Sequence, residues 1–359
     1  MMALAVVKDI CERRVLGSAQ EVAEFETDAV AEFVLARMSA GLADSTIQHD
    51  LANLEQLRIW FGRPLWEMQP RDADAYFGKV LRSASNGTRL AKAQTLATYF
   101  AFLELRYRAE LYTLTSVVIA CPLDEMNRPR GRTDIGIRIP PSATEMDTLF
   151  AGWREDLATC RKYAPTARSY AAAKLMSQVG LRINEVCSMD LTDVRWDLGR
   201  FGKLHVRYGK GHNGSGPKHR MAPLINGADT TLRWFIEDVW GLFDDDHTRE
   251  GAPLFPSERC EGDGSSRRIT DDGLRYGLGK AVERHLPGWH GKLTPHVLRH
   301  YCASQLYGSG MDLVAIQELL GHCWITTTIR YVHVLRTHIE DAWSAGQLRA
   351  ANRLEGLAQ

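Results

Sequence analysis

Apolar residues recur at helical spacing through the first third of the chain. Over Ser45–Phe61 they follow the roughly 3.6-residue period of a helix, with Asp44 or Ser45 placed to cap its start. The glycine and proline of residues 62–64 break the pattern, which resumes over Thr88–Tyr107. The apolar stripes are Ile47, Leu51, Leu54, Leu57 and Phe61, then Leu96, Tyr99, Phe100, Leu103 and Tyr107. We therefore predict a helical first domain.

Arg89 and Lys92 are assigned to the outer face of the second of these helices. Charged residues on such a face are ordinary solvated surface, but they also suit contact with a nucleic-acid backbone. Phosphate contacts of this kind add affinity without reading sequence. Both interpretations stay open for the two residues.

The composition changes between Cys121 and Ser142. Four prolines and two glycines exclude a continuous helix there, and residues 128–138 hold four arginines and one acid, Asp134. The arginines are Arg128, Arg130, Arg132 and Arg138. We predict a helical domain at 1–121, a basic linker at 122–142 that follows a duplex backbone, and a second domain at 143–359.

Most of the second domain carries a helical pattern. Ala167–Val179 is one predicted helix, ended by Gly180, and helices resume from about Asp229. Phe201–Tyr208 instead alternates in polarity, and a similar run resumes at Met221 after a turn rich in glycine, asparagine and serine. This pattern indicates a β-hairpin with a long tip. The predicted class is mainly α with a small β-hairpin or sheet (α+β).

The formal net charge is zero, but the charge is unevenly distributed. Residues 199–220 hold six Lys/Arg and no acid, whereas residues 237–263 hold nine acids and two arginines. A basic face suits a DNA-binding protein, although solvated surface explains the same pattern. Seven irregularly spaced cysteines indicate neither a zinc site nor a disulfide framework, and no apolar run is long enough to span a membrane. We expect a cytoplasmic protein, associated with the nucleoid when bound to DNA.

The chemistry-bearing residues cluster in the last quarter. His296-Val-Leu-Arg299 is followed after 23 residues by His322, in Leu-Gly-His, and after nine more by Tyr331. Arginine stays charged, and its planar guanidinium group can donate two hydrogen bonds to the oxygens of one phosphate. A tyrosine hydroxyl becomes a nucleophile once its proton is removed. These residues suggest attack on a phosphodiester. Further positive charge comes from Arg182, in Gly-Leu-Arg-Ile-Asn-Glu, and Lys210, in Gly-Lys-Gly.

This set resembles the tyrosine recombinase (phage integrase) family, in particular its Xer-like site-specific recombinases. The resemblance implies a helical core-binding domain and a catalytic domain that clamp DNA as a C, and a reaction that needs no metal, ATP or other cofactor. It implies that Tyr331 forms a 3′-phosphotyrosyl bond, that Arg182, Arg299 and His322 stabilise the transition state, and that His296 assists proton transfer. Lys210 would protonate the leaving 5′-oxygen, although Lys218 competes for this role because the hairpin tip is long. Lys218 and Arg220 are further candidates for DNA contact.

Other functions for some of these residues stay open. His296 and His300 stand at i and i+4, as in zinc sites, but Val297 replaces the glutamate of His-Glu-x-x-His, so we assign no metal. Tyr301 and Tyr307 fall on an apolar stripe, which favours packing over nucleophilic attack. Cys302 and Cys323 are expected to be buried as small apolar residues.

Residues 335–355 are amphipathic, and the family resemblance implies that such a C-terminal segment docks on a neighbouring protomer. The expected partners are a double-stranded recombination site, a homotetramer on two duplexes, and accessory or directionality proteins; no membrane partner is expected. Two alternatives stay open: a type IB topoisomerase that relaxes DNA, and a catalytically silent DNA-binding regulator.

Overall fold

The computed structural model describes residues 18–131, 139–209 and 218–321. Contacts between residues divide the chain into two compact units, Met1–Gly136 and Ile137–Gln359. The division falls inside the segment predicted as a linker. Within the described residues the protein is mostly helical with small antiparallel sheets, as the sequence predicted.

The first unit is helical throughout its described elements. Its helices are α1 (Ala19–Ser39), α2 (Asp44–Phe61), α3 (Pro70–Ala75), α4 (Asn86–Arg106) and α5 (Arg108–Thr115). Its core is aromatic, with Phe33 from α1 meeting Tyr99 from α4 edge to face at a centroid distance of 5.3 Å. The predicted cap of α2 is wrong, because Ala43 occupies the N-cap position and supplies no side-chain hydrogen bond. Asp44 instead lies in the first turn, where a negative charge is favourable.

The placement of Lys92 also differs from the prediction. Lys92 is buried, with 8% of its surface exposed, and its Nζ donates to Gln56 Oε1 at 2.5 Å. Burial lowers the pKa of this ammonium group. The assignment of Lys92 to an outer helix face is therefore wrong.

The second unit is built around α7 (Tyr163–Val179), which packs against α9, α10 and α11. Its helices are α6 (Ala143–Asp156), α7, α8 (Ile183–Cys187), α9 (Ala228–Trp234), α10 (Asp271–His285), α11 (Pro295–Gly308) and α12 (Leu313–Leu320). Ala171, Ala172 and Ala173 of α7 are fully buried. Their small side chains let the surrounding helices approach closely, which makes α7 the centre of this core.

Antiparallel strands lie beside this helical core. They are β1 (Val194–Arg195), β2 (Lys203–Gly209) and β3 (Lys218–Pro223) in one sheet, with β4 (Pro256–Cys260) paired to β5 (Ser266–Arg268) in another. β2 and β3 are the predicted hairpin, with Val206 opposite Arg220 and Gly209 opposite Lys218. The register shifts between Val206 and Gly209. The hairpin thus brings Arg220 beside the elements that carry the other motif arginines.

Candidate active site

Three arginines from separate parts of the second unit converge on the end of α12. Each donates to a different one of three successive carbonyl oxygens. The bonds run from Arg220 Nε to Leu319 O (3.0 Å), from Arg299 Nη2 to Leu320 O (2.7 Å) and from Arg182 Nη2 to Gly321 O (3.3 Å). The last carbonyls of a helix lack partners within it and carry partial negative charge, so cations bind there favourably. We call Arg182, Arg220 and Arg299 the arginine cluster.

Arg182 caps the start of α8, and Glu185 holds it there. The backbone N–H of Arg182 donates to Glu185 Oε2 at 2.8 Å, and its Nη1 donates to Oε1 at 2.7 Å. The side chain of Arg182 remains 27% exposed, whereas that of Glu185 is 1% exposed. One face of the Arg182 guanidinium group is thus fixed by protein, while part of the group stays accessible to a ligand.

Glu185 is also bound by Arg220. Nη1 and Nη2 of Arg220 donate to Oε1 and Oε2 of Glu185 at 2.8 and 2.7 Å. Burial by itself would raise the pKa of Glu185, but the hydrogen bonds and charges of Arg220 and Arg182 outweigh burial and lower that pKa to about 2. The carboxylate is therefore ionised at neutral pH and offsets one of the cluster's three positive charges.

Arg299 is the most deeply buried member of the cluster, with 1% of its surface exposed. Its Nη1 donates to Gly180 O at 2.6 Å and its Nη2 to Leu320 O. Gly180 ends α7 in the left-handed region, with φ of +72°, and a β-carbon there would lie 2.4 Å from Leu320 Cδ2. A glycine is needed at this position for its backbone angle and for the space it leaves.

The two histidines of the His-x-x-Arg segment lie together on α11. His296 is exposed and His300 is half-buried. Their Nε2 atoms are 2.8 Å apart and their rings meet edge to face. One ring nitrogen must donate and the other accept, so the two rings need complementary tautomers.

The neighbours of these motifs pack as the sequence predicted. Tyr301 and Tyr307 pack against the core of the second unit, and burial raises the pKa of Tyr301. Cys302 is buried beside Gly180; burial raises the pKa of its thiol to about 12, although the charge of Arg299 opposes this. Both observations agree with packing roles.

Several predicted site residues lie outside the described part of the chain: Lys210, His322, Tyr331, Arg132, Arg138 and Cys323, together with the C-terminal segment 335–355. Gly209 and Gly321 are described and directly precede Lys210 and His322. Two of the described ranges therefore end directly before Lys210 and His322.

The remaining candidates for DNA contact divide by exposure. Arg128, Arg130 and Lys218 are exposed, and Arg89 is half-buried. Arg130 donates to the carbonyl of Glu125. Arg220 is largely enclosed, because its guanidinium group is turned onto Glu185 and Leu319.

Glu185 is the site residue to which the sequence interpretation gave no role. A signal was present, because a glutamate three residues after an N-terminal capping position is the pattern of a capping box. Its second partner, Arg220, is 35 residues away in the chain. That contact depends on how the hairpin packs, which local sequence does not encode.

The described residues contain neither a metal-binding cluster nor a membrane-spanning helix. No group of three or more His, Cys, Asp or Glu side chains among them is arranged to hold a metal ion. Nor does any helix within those ranges have the length and hydrophobicity needed to cross a membrane.

Known proteins resemble this chain in sequence. The family model described as Phage integrase family matches residues 154–338. Tyrosine recombinase XerD of Agrobacterium fabrum (strain C58) is 28% identical over 86% of this chain and 91% of that protein. Tyrosine recombinase XerD of Oceanobacillus iheyensis is 31% identical over 52% of this chain and 56% of that protein.

Solved structures share the fold. XerH site-specific recombinase, in a post-cleavage complex with palindromic difH substrate, is 17% identical with a TM-score of 0.59, covering 94% of this chain and 100% of that one. The Tn1549 transposon integrase in complex with transposon right end DNA is 16% identical with a TM-score of 0.60, covering 88% and 99%. At these identities the likeness establishes the fold.

Motifs and relatives together define a site-specific tyrosine recombinase. The family match extends over more than half of the chain, which therefore belongs to the phage integrase family, as the resemblance predicted. Neither a topoisomerase nor a silent DNA-binding regulator is favoured by these relatives.

Proposed function

We propose that this enzyme cuts and rejoins DNA at a specific site by transferring a DNA 3′-phosphate to Tyr331 and back. The observation that carries the proposal is the convergence of the arginine cluster on the end of α12. Within the set of three arginines and Glu185, positive charges outnumber negative ones by two. Positive charge that is held away from water is stabilised by a nearby anion. A phosphodiester is such an anion, and its oxygens accept hydrogen bonds from the planar guanidinium groups of arginine.

The proposed chemistry assigns one task to each motif residue. Tyr331 Oη attacks the phosphorus atom and loses its proton with help from His296, while the bond to the 5′-oxygen breaks. Lys210 gives that oxygen a proton, which leaves a 5′-hydroxyl. Arg182, Arg299 and His322 stabilise the charge that develops on the non-bridging oxygens. A 5′-hydroxyl from a partner duplex then reverses the same steps, so no ATP or metal ion is consumed.

We propose double-stranded DNA as the partner. Solved recombinases and integrases that share this fold are complexes with DNA. Arg128, Arg130 and Lys218 are exposed and suit phosphate contacts; Arg89 and Arg132 stay with them as candidates. Lys92 is less suited to such a contact, because its ammonium group is buried and bound to Gln56.

A homotetramer on two duplexes, linked by exchange of the C-terminal segment, is part of the proposal. So are accessory or directionality proteins, a role in moving a mobile element, and action in the cytoplasm where the DNA lies. The transposon integrase among the structural neighbours supports the mobile-element role.

The function is tested with a supercoiled plasmid that carries two copies of the target site, incubated in EDTA without ATP. The proposal expects two product circles or an inverted segment, depending on site orientation. Relaxed plasmid without recombination, formed also when the plasmid lacks the site, would instead indicate a topoisomerase. Tight binding without any strand cleavage would indicate a regulator.

Lys210 and Lys218 are distinguished by changing the leaving group. A substrate with sulfur in place of the 5′-bridging oxygen releases a thiol, which has a far lower pKa than an alcohol and needs no proton donor. We expect Lys210→Ala to cleave the sulfur substrate at the wild-type rate and the ordinary substrate slowly. Lys218→Ala should not cleave the sulfur substrate faster than the ordinary one. If the sulfur substrate restores the cleavage rate of Lys218→Ala and not that of Lys210→Ala, Lys218 is the proton donor.

A further inference from the structure

Arg220 uses every nitrogen of its guanidinium group inside the protein. Nε donates to Leu319 O, and Nη1 and Nη2 donate to the two oxygens of Glu185. Only 11% of its side chain is exposed. The bonds to Glu185 form a two-pronged contact that a lysine cannot reproduce, because an ammonium group has no planar fork. Arg220 is therefore anchored to protein acceptors through its whole guanidinium group.

Glu185 connects Arg220 to Arg182. Its Oε1 accepts from Nη1 of both arginines, at 2.7 and 2.8 Å. Its Oε2 accepts from the Arg182 backbone N–H at 2.8 Å and from Arg220 Nη2 at 2.7 Å. Because both oxygens are shared, Arg220 fixes the rotation of the carboxylate that in turn holds the Arg182 guanidinium group.

Arg220 also contacts the turn that leads to His322. Gly321 has φ of +64°, and a β-carbon on it would lie 3.0 Å from Arg220 Cδ and 3.1 Å from Nη1. The stem of Arg220 therefore packs directly on the glycine of the Leu-Gly-His motif. Since the Arg220 backbone pairs with Val206, one residue joins the hairpin, the Arg182 turn and the end of α12.

We infer that Arg220 is a positioning residue, which holds Arg182 through Glu185 and fixes the β2–β3 hairpin against the end of α12. The inference rests on the proposed function for its catalytic consequence, whereas its structural part stands independently. It replaces the prediction that Arg220 contacts DNA.

The test compares Arg220→Lys and Arg220→Gln with Arg195→Gln, a matched control on the same sheet whose arginine pairs with Asp197 at the surface. Nicked duplexes made from fragmented genomic DNA of the source cell serve as the probe. Two quantities are measured: the first-order rate of covalent adduct formation at saturating DNA, and the dissociation constant for DNA over a range of salt. Thermal unfolding identifies variants that do not fold.

We expect Arg220→Lys to fold and to form adducts on the order of 10²-fold more slowly, since a misplacement of about 1 Å costs that much. Its dissociation constant and salt dependence should match those of the wild type, and Arg195→Gln should match it in both quantities. A DNA contact would give the opposite pattern, with weaker binding, a salt slope reduced by about one and an unchanged rate. That result would overturn the inference.

A double-variant cycle tests the route through Glu185. If Arg220 acts on Arg182 through that carboxylate, the rate losses of Arg220→Gln and Glu185→Gln should be strongly non-additive in the double variant. Additive losses would show that Arg220 does not act through Glu185, and would contradict that part of the inference.

Amide hydrogen exchange gives a measurement that does not depend on catalysis. In Arg220→Lys, residues 203–209, 218–223 and 313–321 should lose protection relative to both the wild type and Arg195→Gln. If protection is unchanged, Arg220 does not hold the β2–β3 hairpin against the end of α12. If the wild type forms no adduct on any fragment, the proposed function fails, while the exchange data still decide whether Arg220 holds these segments together.

Discussion

The guanidinium group of Arg299 donates to the carbonyl oxygen of Leu320 at 2.7 Å. Its other terminal nitrogen donates to Gly180 O at 2.6 Å. The first contact lies two residues before His322 and the second two residues before Arg182. A single buried side chain therefore joins the backbone before Arg182 to the backbone before His322. Arg299 thus shapes the site as well as supplying positive charge to it.

Arg299→Lys should therefore impair both stability and cleavage. Lysine keeps the charge but cannot reach both carbonyls in the same geometry, and a buried acceptor left unsatisfied costs about 1–3 kcal/mol. Loss of a donor to the transition state should also slow adduct formation roughly 10²–10³-fold. Urea unfolding and denaturing gels measure the two effects. Arg195→Lys, at an exposed ion pair, is the control; an Arg299→Lys variant as stable as this control would contradict the account.

Glu185 should make the stability depend on acid pH. Its pKa is lowered from 4.5 to about 2 in the folded protein, so the ionised carboxylate contributes stability that is present above about pH 4.5 and is lost as the pH falls toward 2. The shift corresponds to a contribution on the order of 3 kcal/mol. Glutamine cannot ionise, so Glu185→Gln should be less stable than the wild type at neutral pH, with a gap that narrows in acid. Urea unfolding of both proteins across this range measures the gap, and a gap independent of pH would argue against the ion pairs.

Gly180→Ala should destabilise the protein more than Gly62→Ala. Both glycines end a helix in the left-handed region, with φ of +72° and +67°, which costs about 1–2 kcal/mol for a residue with a β-carbon. At Gly62 nothing lies within 4 Å of that carbon, whereas at Gly180 it would meet the fully buried Leu320. Overpacking should add about 1–3 kcal/mol. Equal losses in the two variants, by urea unfolding, would mean that α7 and α12 are less closely packed than described.

His296 and His300 should differ in their effect on the reaction. As the proposed proton-transfer group, His296 replaced by alanine should slow adduct formation roughly 10²–10⁴-fold. His300→Ala removes the ring partner whose Nε2 lies 2.8 Å from that of His296, and its effect should be smaller than that of His296→Ala. Single-turnover cleavage measures both. A larger loss for His300→Ala would exchange the roles of the two residues.

The sequence predicted the elements that depend on local pattern. The periods of α2, α4 and α7, and the alternation of β2, were sufficient to place each of them, and Gly62 and Gly180 end helices as expected. The contacts of the arginine cluster could not be predicted from the sequence. Arg220 and Glu185 are 35 residues apart, and Arg182 and Gly321 are 139 apart, so their meeting depends on how the hairpin and α12 pack.

The buried position of Lys92 could have been predicted from the sequence. It lies four residues before Leu96 and seven before Tyr99, which places it on the apolar stripe of α4 and not opposite it. A lysine at such a position is buried along its stem, and its ammonium group needs a nearby acceptor. Gln56 of α2 supplies that acceptor.

Covalent capture of DNA tests the central claim most directly. The purified protein is incubated with nicked duplexes made from fragmented genomic DNA, in EDTA and without ATP, and adducts are separated on a denaturing gel. We predict an adduct that forms in EDTA, disappears in Tyr331→Phe and carries the target site in its DNA. An adduct that persists in Tyr331→Phe, or one that requires a metal ion, would contradict the account.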